Sequence, residues 1–256
     1  MRDKVIICFF GVVSRSIQFT HQNLKKKLIN IVKQYYDVDI YIFNNNVENE
    51  YVDGIRQNNN DVNILQRTFF EEKRQSMIDV DIYNNIISKN IVCKMPYYEP
   101  AGFTIMNVLR QMYSEHQVGL FLEKNINNYK CAIVCGPDFY LFNNINLEDI
   151  TNSINNDSVV YTTNVNDAHG YTNGFYIGSL KPMIQILQRY SILDQLLPTD
   201  KDYEYLLKRS FEINKINRII TDTQFGKIRS NTDMMIFPNS KYTMQNIMTE
   251  LKYSKM

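Results

Sequence analysis

Hydrophobic positions at the start of the chain follow two different spacings in turn. Residues 4–10 are almost entirely apolar and end at Gly11, which is typical of a strand buried on both faces. Thr20 opens a segment whose apolar residues recur at helical spacing, and residues 37–43 form a second strand-like run. Strand, helix and strand in this order predict a βαβ unit, in which the two strands are parallel and the crossover is right-handed.

The rest of the chain continues this alternation. Residues 131–135 are fully apolar and stop at Gly136-Pro137-Asp138, which predicts another buried strand followed by a turn. Because no linker, repeat or low-complexity tract divides the sequence, we expect a single α/β domain over residues 1–256. The other predicted elements are strands at 62–65 and 159–162, irregular segments at 44–60 and 91–102, and helices at 68–90, 103–127, 147–154 (behind Asn146 as N-cap), from Pro182, 200–213 and 241–252.

Composition narrows the class of protein. Hydrophobic residues make up 44% of the chain and charged residues 21%, which is the balance of a packed globular protein. The net charge of +1 and the absence of a dense, exposed Lys/Arg track argue against nucleic-acid binding. The longest apolar run, residues 5–13, is too short to span a bilayer and is followed by no small-residue cleavage site. We therefore expect neither a transmembrane segment nor a signal peptide.

The four cysteines favour a reducing compartment. Cys8, Cys93, Cys131 and Cys135 show no metal-ligand spacing, and the histidines are scattered. Cys131 and Cys135 would share one face of a strand about 13 Å apart, beyond the reach of a disulfide. We expect buried, reduced thiols and a cytoplasmic protein, and the sequence leaves a homo-oligomer open.

The first candidate for binding chemistry is the loop Gly11-Val12-Val13-Ser14-Arg15, at the carboxyl end of the first strand. Ligands of open parallel sheets bind outside these strand ends. Gly11 allows a close backbone approach, Ser14 carries a hydroxyl, and Arg15 can bind a phosphate through two parallel hydrogen bonds. The alternative is a tight turn with a surface arginine.

The second candidate is Asp138, just past the apolar strand 131–135. A carboxylate at a strand end is suited to bind a divalent metal, which in turn bridges a diphosphate. The alternative is a turn aspartate, because Pro-Asp is common in turns. The two other Asp-x-Asp pairs are predicted to face solvent, Asp37/Asp39 at the start of a strand and Asp79/Asp81 in mid-helix.

The third candidate is the glycine- and aromatic-rich segment Gly170–Ser179. Its aromatic rings are suited to stack on a sugar or base, and Asn173 is suited to hydrogen-bond hydroxyls. A hairpin with its aromatic rings in the core is the alternative. Glu204 and Arg229 are weaker candidates when taken singly.

Together these segments resemble the small GT-A-type glycosyltransferases encoded by giant DNA viruses (mimivirus-like) and by some protists and algae. The resemblance covers most of the chain. It rests on Phe10–Ser16 followed by Val38–Phe43, residues 112–130 followed by Gly136-Pro137-Asp138, Gly170–Ser179, and Asp202-Tyr203-Glu204 with Lys227-Ile228-Arg229.

The resemblance implies a Rossmann-like GT-A fold with a mixed, mainly parallel sheet, and transfer of a sugar from a UDP- or GDP-linked donor to a glycan or protein acceptor. The resemblance assigns contacts with the donor to Gly11, Val12, Ser14, Arg15 and Arg229. It assigns the role of catalytic carboxylate or metal ligand at the donor site to Asp138. Acceptor and catalytic roles fall to the later blocks, with Asn173 and Glu204 as the residues concerned.

Two positions depart from the family's pattern. Gly136 stands where a basic residue is expected, and Asn173 where an aspartate is expected. An amide cannot act as a general base, so an inverting transfer would need a carboxylate elsewhere, for which Glu204 is the candidate and Asp167 a rival; whether the anomeric centre is inverted or retained is left open. Metal dependence is left open, because Arg15 and Arg229 are suited to neutralise a diphosphate without a Mn²⁺ or Mg²⁺ ion.

Two other functions stay open at this stage. A sugar-phosphate nucleotidyltransferase shares the Rossmann-like core, although its glycine-rich basic signature loop is represented here by a single arginine, Arg15. A catalytically inactive structural or interaction protein would keep the fold, since a fold does not imply a function.

Overall fold

The structure is a computed structural model that describes residues 2–47, 50–52, 55–57, 69–88, 103–167, 169–196, 203–228, 234–237 and 239–243. The strands are β1 (Lys4–Gly11), β2 (Asp37–Asn46), β3 (Glu50–Val52), β4 (Ile55–Gln57), β5 (Lys73–Ile78), β6 (Cys131–Cys135), β7 (Phe139–Leu141), β8 (Val159–Thr162), β9 (Phe175–Ser179), β10 (Asn217–Ile220), β11 (Phe225–Ile228) and β12 (Met234–Met235). The α-helices are α1 (Ile17–Leu24), α2 (Asn30–Lys33), α3 (Asp79–Ser88), α4 (Phe103–Lys124), α5 (Leu147–Ile154), α6 (Leu180–Leu187), α7 (Leu193–Leu196) and α8 (Tyr203–Ile213).

The central sheet of the described residues has seven strands in the order β10-β8-β9-β6-β1-β2-β5. Strand β1 is parallel to both β2 and β6, β2 is parallel to β5, and β8 is parallel to β10. Strand β9 alone in this sheet runs antiparallel, to β6 on one side and β8 on the other. Its first four strands in chain order, β1, β2, β5 and β6, are arranged 3-2-1-4 as in the common doubly wound sheet. The predicted Rossmann-like α/β fold with a mixed, mainly parallel sheet is confirmed.

Helices cover both faces of this sheet, as the continuous apolar run of β1 requires. Val5, Ile7 and Phe9 point to one face, where they share a core with residues of α1 and α5. Ile6, Cys8 and Phe10 point to the other face, into a core built with α4, α6 and α8. Because strand side chains alternate between faces, each face receives every second residue of the run. A fully buried apolar side chain of this size contributes about 1.5–3 kcal/mol to folding.

Several predicted elements are confirmed. Strands β1, β6 and β8 and helices α4, α5 and α8 match their predictions closely, and Asn146 caps α5 by accepting a hydrogen bond from the Glu148 amide (3.0 Å). Helix α1 begins at Ile17, before Thr20, and a π-helical turn over Lys25–Ile29 continues it into α2.

The predicted helix over residues 68–90 is wrong in its first half. Residues 73–78 form β5, which pairs with β2 at the edge of the sheet. The side chains of β5 are exposed or half-buried, so it lacks the apolar run that marks a buried strand. Asp79 therefore begins α3 and does not lie in mid-helix, and it accepts a hydrogen bond from Arg110 (Nη2 to Oδ2, 2.9 Å). Burial raises the pKa of Asp79.

The predicted irregular segment 44–60 is partly regular. Strand β2 continues to Asn46, and β3 and β4 form an antiparallel hairpin. Residues 62–65 and 91–102 lie outside the described residues, as does most of the predicted helix 241–252, and 241–243 are not helical. Strands β7 and β10–β12 were not predicted, because each is short or exposed on one side.

Two further expectations concern the thiols and the membrane. Cys8, Cys131 and Cys135 are buried and unbonded, and Cys131 and Cys135 lie on the same face of β6, as predicted. Burial raises the pKa of Cys131 to about 12. Cys93 lies outside the described residues.

Among the described helices, none combines the length and the apolar character that crossing a membrane requires.

Candidate functional site

A cleft lies at the edge of the sheet where β1, β2 and β6 end and the antiparallel strand β9 begins. Its volume is about 210 Å³. Because the strands on either side of β1 are parallel to it, the loops that follow all three strands meet here. The lining residues are Phe10, Gly11, Val12, Arg15, Asn45, Asn107, Gln111, Ser114, Gly136, Pro137, Asp138, Phe139, Gly174 and Lys227.

The first loop bends into the cleft at Gly11. Its φ of 102° lies in the region that side-chain-bearing residues avoid, and a Cβ there would meet nothing within 4 Å. Glycine is therefore required at this position by the backbone angle and not by space. The turn beyond it is held by β2, since the Val13 amide donates to Asn44 Oδ1 (3.1 Å).

Asp138 lines the cleft and is bound to Arg15. The distance from Arg15 Nη2 to Asp138 Oδ2 is 3.2 Å, and the two side chains are 17% and 7% exposed. The main chain around the carboxylate is fixed on both sides. The Pro137 carbonyl accepts from Thr20 Oγ1 (2.6 Å), and the Asp138 carbonyl accepts from the Ile228 amide (2.8 Å). Two residues chosen independently from the sequence are thus in contact at one site.

Gly136 has a steric reason to be glycine. A Cβ at this position would lie 2.7 Å from Phe139 Cε1 and 2.9 Å from Asp138 Oδ1. Any side chain here would displace the carboxylate or the ring beneath it. The second cation of the cleft comes instead from Lys227 on β11, which lines the cleft with its Nζ 5.2 Å from the centre of the Phe139 ring.

The charges of the cleft suit an anion better than a divalent cation. Asp138 is the one carboxylate among the described lining residues, while Arg15 and Lys227 supply two positive charges. Within the described part of the chain, no three His, Cys, Asp or Glu side chains converge on a common point. Mg²⁺ and Mn²⁺ need several oxygen ligands, and carboxylates lead among them. One carboxylate already paired with an arginine does not fit such an ion, so the predicted metal role of Asp138 finds no support in the donor set.

A chain of polar side chains runs behind the cleft wall. Gln111 Nε2 donates to Glu115 Oε1 (3.0 Å) and to Asn173 Oδ1 (2.8 Å), and Asn173 Nδ2 donates to Glu204 Oε1 (3.1 Å). Asn166 donates to the same Glu204 oxygen (3.2 Å). Gln111 lines the cleft, whereas Asn173 and Glu204 are not among its lining residues and are joined to it through Gln111.

The series of hydrogen-bonded side chains that includes Gln111 ends at a buried ion pair. The side chains of Glu115 and Arg189 are both fully buried, and their charged groups are in contact. The Tyr176 hydroxyl donates to Glu115 Oε2 (3.3 Å) and accepts from the Gly174 amide (2.8 Å). Burial, and then the Glu115 carboxylate, raise the pKa of Tyr176 well above its usual range, so the hydroxyl stays protonated.

Asp167 is engaged in a different contact. Arg218 binds it through two nitrogen atoms, at 2.8 and 2.7 Å, and the Thr172 amide and hydroxyl each donate to Oδ1 at 2.9 Å. Arg218 also stacks on the Tyr171 ring, 4.3 Å from its centre. These bonds hold the loop before β9 in place, and they engage both carboxylate oxygens of Asp167 with protein groups.

The predicted site residues thus fall into three groups. Gly11, Val12, Arg15 and Asp138 line the cleft, and Asn173 and Glu204 lie behind it. The Ser14 side chain and the whole of Arg229 lie outside what the structure describes.

Several lining residues were missed, among them Lys227, Asn45 and Gln111. Lys227 belongs to the segment Lys227-Ile228-Arg229, in which only Arg229 was given a role. Asn45 belongs to residues 44–60, which were predicted to be irregular. Gln111 carries no signal in the sequence, because a glutamine on an amphipathic helix is most often a surface residue.

Comparison with known proteins finds similarity among solved structures. No protein-family model matches the chain, and no curated protein matches it. Among solved structures, the chain is similar to the apo form of mouse xyloside xylosyltransferase 1. The sequence identity is 11%, the match covers 85% of this chain and 84% of that chain, and the TM-score is 0.47. At this distance the two molecules share at most a general fold, so the chemistry of the cleft has to carry any functional assignment.

Proposed function

We propose that the protein is a glycosyltransferase that moves a sugar from a nucleotide-diphosphate sugar, linked to UDP or GDP, to a hydroxyl of a glycan or protein acceptor. The observation that carries this proposal is the Arg15–Asp138 pair, which with Lys227 lines a cleft at the carboxyl ends of parallel strands. The resemblance of the surrounding sequence blocks to GT-A-type glycosyltransferases supports the same assignment.

In this reaction one bond forms and one breaks at the anomeric carbon. The acceptor oxygen bonds to that carbon, and the bond to the phosphate oxygen breaks. The nucleoside diphosphate leaves with the electron pair. The acceptor proton passes to a base or to the departing phosphate. The leaving group gains negative charge as the bond breaks, so cations next to it stabilise the transition state more than the ground state.

The cleft residues have distinct roles in this scheme. Arg15 and Lys227 bind the diphosphate, the backbone at Gly11 and Val12 approaches the nucleotide, and Asp138 orients Arg15 and accepts a hydrogen bond from the donor sugar. No step requires a metal ion.

The base for the acceptor proton, if the transfer inverts the anomeric carbon, is Glu204. Its rival Asp167 is held by four hydrogen bonds from Arg218 and Thr172, which tie its carboxylate to the loop before β9. Because Glu204 is separated from the cleft by Asn173, this role requires the acceptor to bind on the Asn173 side.

The proposal is tested by measuring the melting temperature with a panel of ligands in the presence of EDTA. We expect one UDP- or GDP-linked sugar to stabilise the protein, because a ligand that binds only the native state raises its stability. Stabilisation by a nucleoside triphosphate alone would indicate a nucleotidyltransferase. If none of the ligands acts, with or without Mn²⁺, the proposal is wrong.

We expect Arg15→Ala to weaken binding of the nucleotide sugar by about 1.5–3 kcal/mol, the range for a hydrogen bond to a charged group. Isothermal titration calorimetry measures this loss. Arg209→Ala is the matched control, because Arg209 is an exposed arginine of α8 that pairs with Glu212 away from the cleft. Equal affinities for Arg15→Ala and the control would remove Arg15 from the donor site.

A further inference from the structure

One wall of the cleft contains amides and no charges, and hydrogen bonds fix which way its first amide points. Gln111 Nε2 has two hydrogen atoms, and Glu115 Oε1 and Asn173 Oδ1 accept one each. A carboxylate can only accept, so Glu115 determines which end of the Gln111 amide faces it. Glu204 determines the orientation of the Asn173 amide in the same way, because its carboxylate accepts from Asn173 Nδ2.

This arrangement leaves the Gln111 carbonyl oxygen, Oε1, as the atom available to a ligand. Both hydrogen atoms of the amide are used within the protein, and none of the described residues donates to Oε1. Gln111 lines the cleft. It therefore offers a hydrogen-bond acceptor there and no donor.

A second amide, Asn45, is oriented by the same logic. The Ser114 hydroxyl donates its proton to the Arg110 carbonyl (2.6 Å), so it can only accept from Asn45 Nδ2 (2.9 Å). The amide nitrogen thus faces Ser114 with one of its two hydrogen atoms, and Asn45 Oδ1 points away from Ser114. It is buried, and no described residue donates to it. Because Ser114 lies one helical turn after Gln111, the two amides belong to the same wall of the cleft.

A buried acceptor without a donor costs about 1–3 kcal/mol, so a ligand that supplies a donor gains by binding here. A phosphate at neutral pH has mainly acceptor oxygens and would be repelled. A sugar hydroxyl donates readily. The two regions of the cleft thus match the two parts of one molecule, an anion beside Arg15 and Lys227 and a hydroxyl-bearing ring beside Gln111 and Asn45.

We propose that Gln111 and Asn45 form the subsite that recognises the hydroxyl groups of the donor sugar. Glu115 orients the amide of Gln111 directly, and Glu204 orients it through Asn173. This inference rests on the proposed function, because it assumes that the anion bound by Arg15 is the diphosphate of a nucleotide sugar. Gln111 and Asn45 are then specificity-determining residues. The buried Glu115 and the half-buried Glu204 are positioning residues for them, and Glu204 keeps its proposed role as the base besides.

The test compares two ligands on each variant, the nucleotide sugar that stabilises the wild-type protein and the corresponding nucleoside diphosphate without sugar. We expect Gln111→Met and Asn45→Ala each to weaken the binding of the nucleotide sugar by about tenfold, which corresponds to the loss of one buried hydrogen bond. The affinity for the nucleoside diphosphate should change by less than about twofold. Gln117→Met is the control, because Gln117 is on the same helix but does not line the cleft.

A donor that lacks one hydroxyl extends the comparison to a double-mutant cycle. The deoxy donor whose missing hydroxyl faces Gln111 should bind the wild-type protein about tenfold more weakly and should bind Gln111→Met no worse than the complete donor. Parallel losses for the nucleotide sugar and the nucleoside diphosphate would mean that the variants disturb the whole cleft, and unchanged affinities would mean that the wall faces no sugar. Either result overturns this inference while the proposed function stands. Failure of the wild-type protein to bind any nucleotide sugar overturns both.

Discussion

Asp138→Asn is expected to abolish sugar transfer and donor hydrolysis, with at least about a hundredfold loss of turnover. The substitution keeps the shape of the side chain and removes its charge. Arg15 then loses the carboxylate that orients it, and the donor sugar loses its strongest acceptor. The effect is measured as the turnover rate of the nucleotide sugar, and the released nucleoside diphosphate is the product that is quantified.

The control for this variant is Asp37→Asn. Asp37 is exposed at the amino end of β2, the opposite edge of the sheet from the cleft. Near-wild-type turnover of Asp138→Asn, or a donor complex in which Asp138 is remote from both the diphosphate and the sugar, would contradict the site assignment.

The stability of Asp138→Asn is a separate matter on which the structure changes the expectation. From the sequence, a carboxylate in a binding loop is not a packing element, and its replacement should leave the melting temperature nearly unchanged. The contact with Arg15 shows that the carboxylate compensates a largely buried guanidinium. We now expect a loss of about 1–2 kcal/mol, because Arg15 keeps some exposure to water and is not left as a fully buried charge.

Glu115→Gln is expected to lower the free energy of unfolding by about 3–5 kcal/mol, the largest stability effect among these variants. Glu115 and Arg189 are fully buried, so the substitution leaves a positive charge in the core without its counter-ion. The new amide also turns its NH2 group either toward Gln111 Nε2, at the position of Oε1, or toward Arg189 and Tyr176, at the position of Oε2, and all three need an acceptor there. Urea unfolding of the purified protein measures the change.

Two further variants separate this charge effect from a general loss of packing. Glu212→Gln removes the partner of Arg209 in an exposed pair of α8, and we expect it to cost less than about 0.5 kcal/mol. Adding Arg189→Met to Glu115→Gln removes the uncompensated charge and should recover about 2 kcal/mol or more. A double variant that is less stable than Glu115→Gln would show that Arg189 contributes through packing and not through its charge.

The part of the fold that was predicted correctly is the part with a strong local signal. Strands β1 and β6 are continuous apolar runs, and α5 has both a hydrophobic face and an Asn146 cap. Strand β5 shows why other elements were missed. It lies at the edge of the sheet with its side chains largely in water, so its sequence resembles that of an exposed helix, and only pairing with β2 makes it a strand.

The candidate site divides in the same way. Gly11, Arg15 and Asp138 follow directly after apolar strands, and a parallel sheet brings such positions to one edge. Lys227 reaches the cleft only because β11 pairs with β7 next to Asp138. Gln111 and Asn45 become acceptors only through hydrogen bonds to residues distant in the chain or on another element, such as Asn173 and Ser114.

The amino-acid sequence alone predicts the α/β class of the protein, its first parallel strand pair, and the two strand ends that provide an arginine and a carboxylate. Local spacing and strand burial are sufficient for these features, because each depends on neighbouring residues. Only the folded protein shows that Arg15 and Asp138 pair with each other, that Gly136 has no room for a side chain, and that the Gln111 amide turns its nitrogen toward Glu115 and Asn173. Contacts between segments far apart in the chain produce the Arg15–Asp138 pair and the bond from Gln111 to Asn173, while the clash at Gly136 comes from the turn that brings Asp138 and Phe139 against it. Neither a hydrogen bond nor a steric clash of this kind leaves a periodic trace in the sequence.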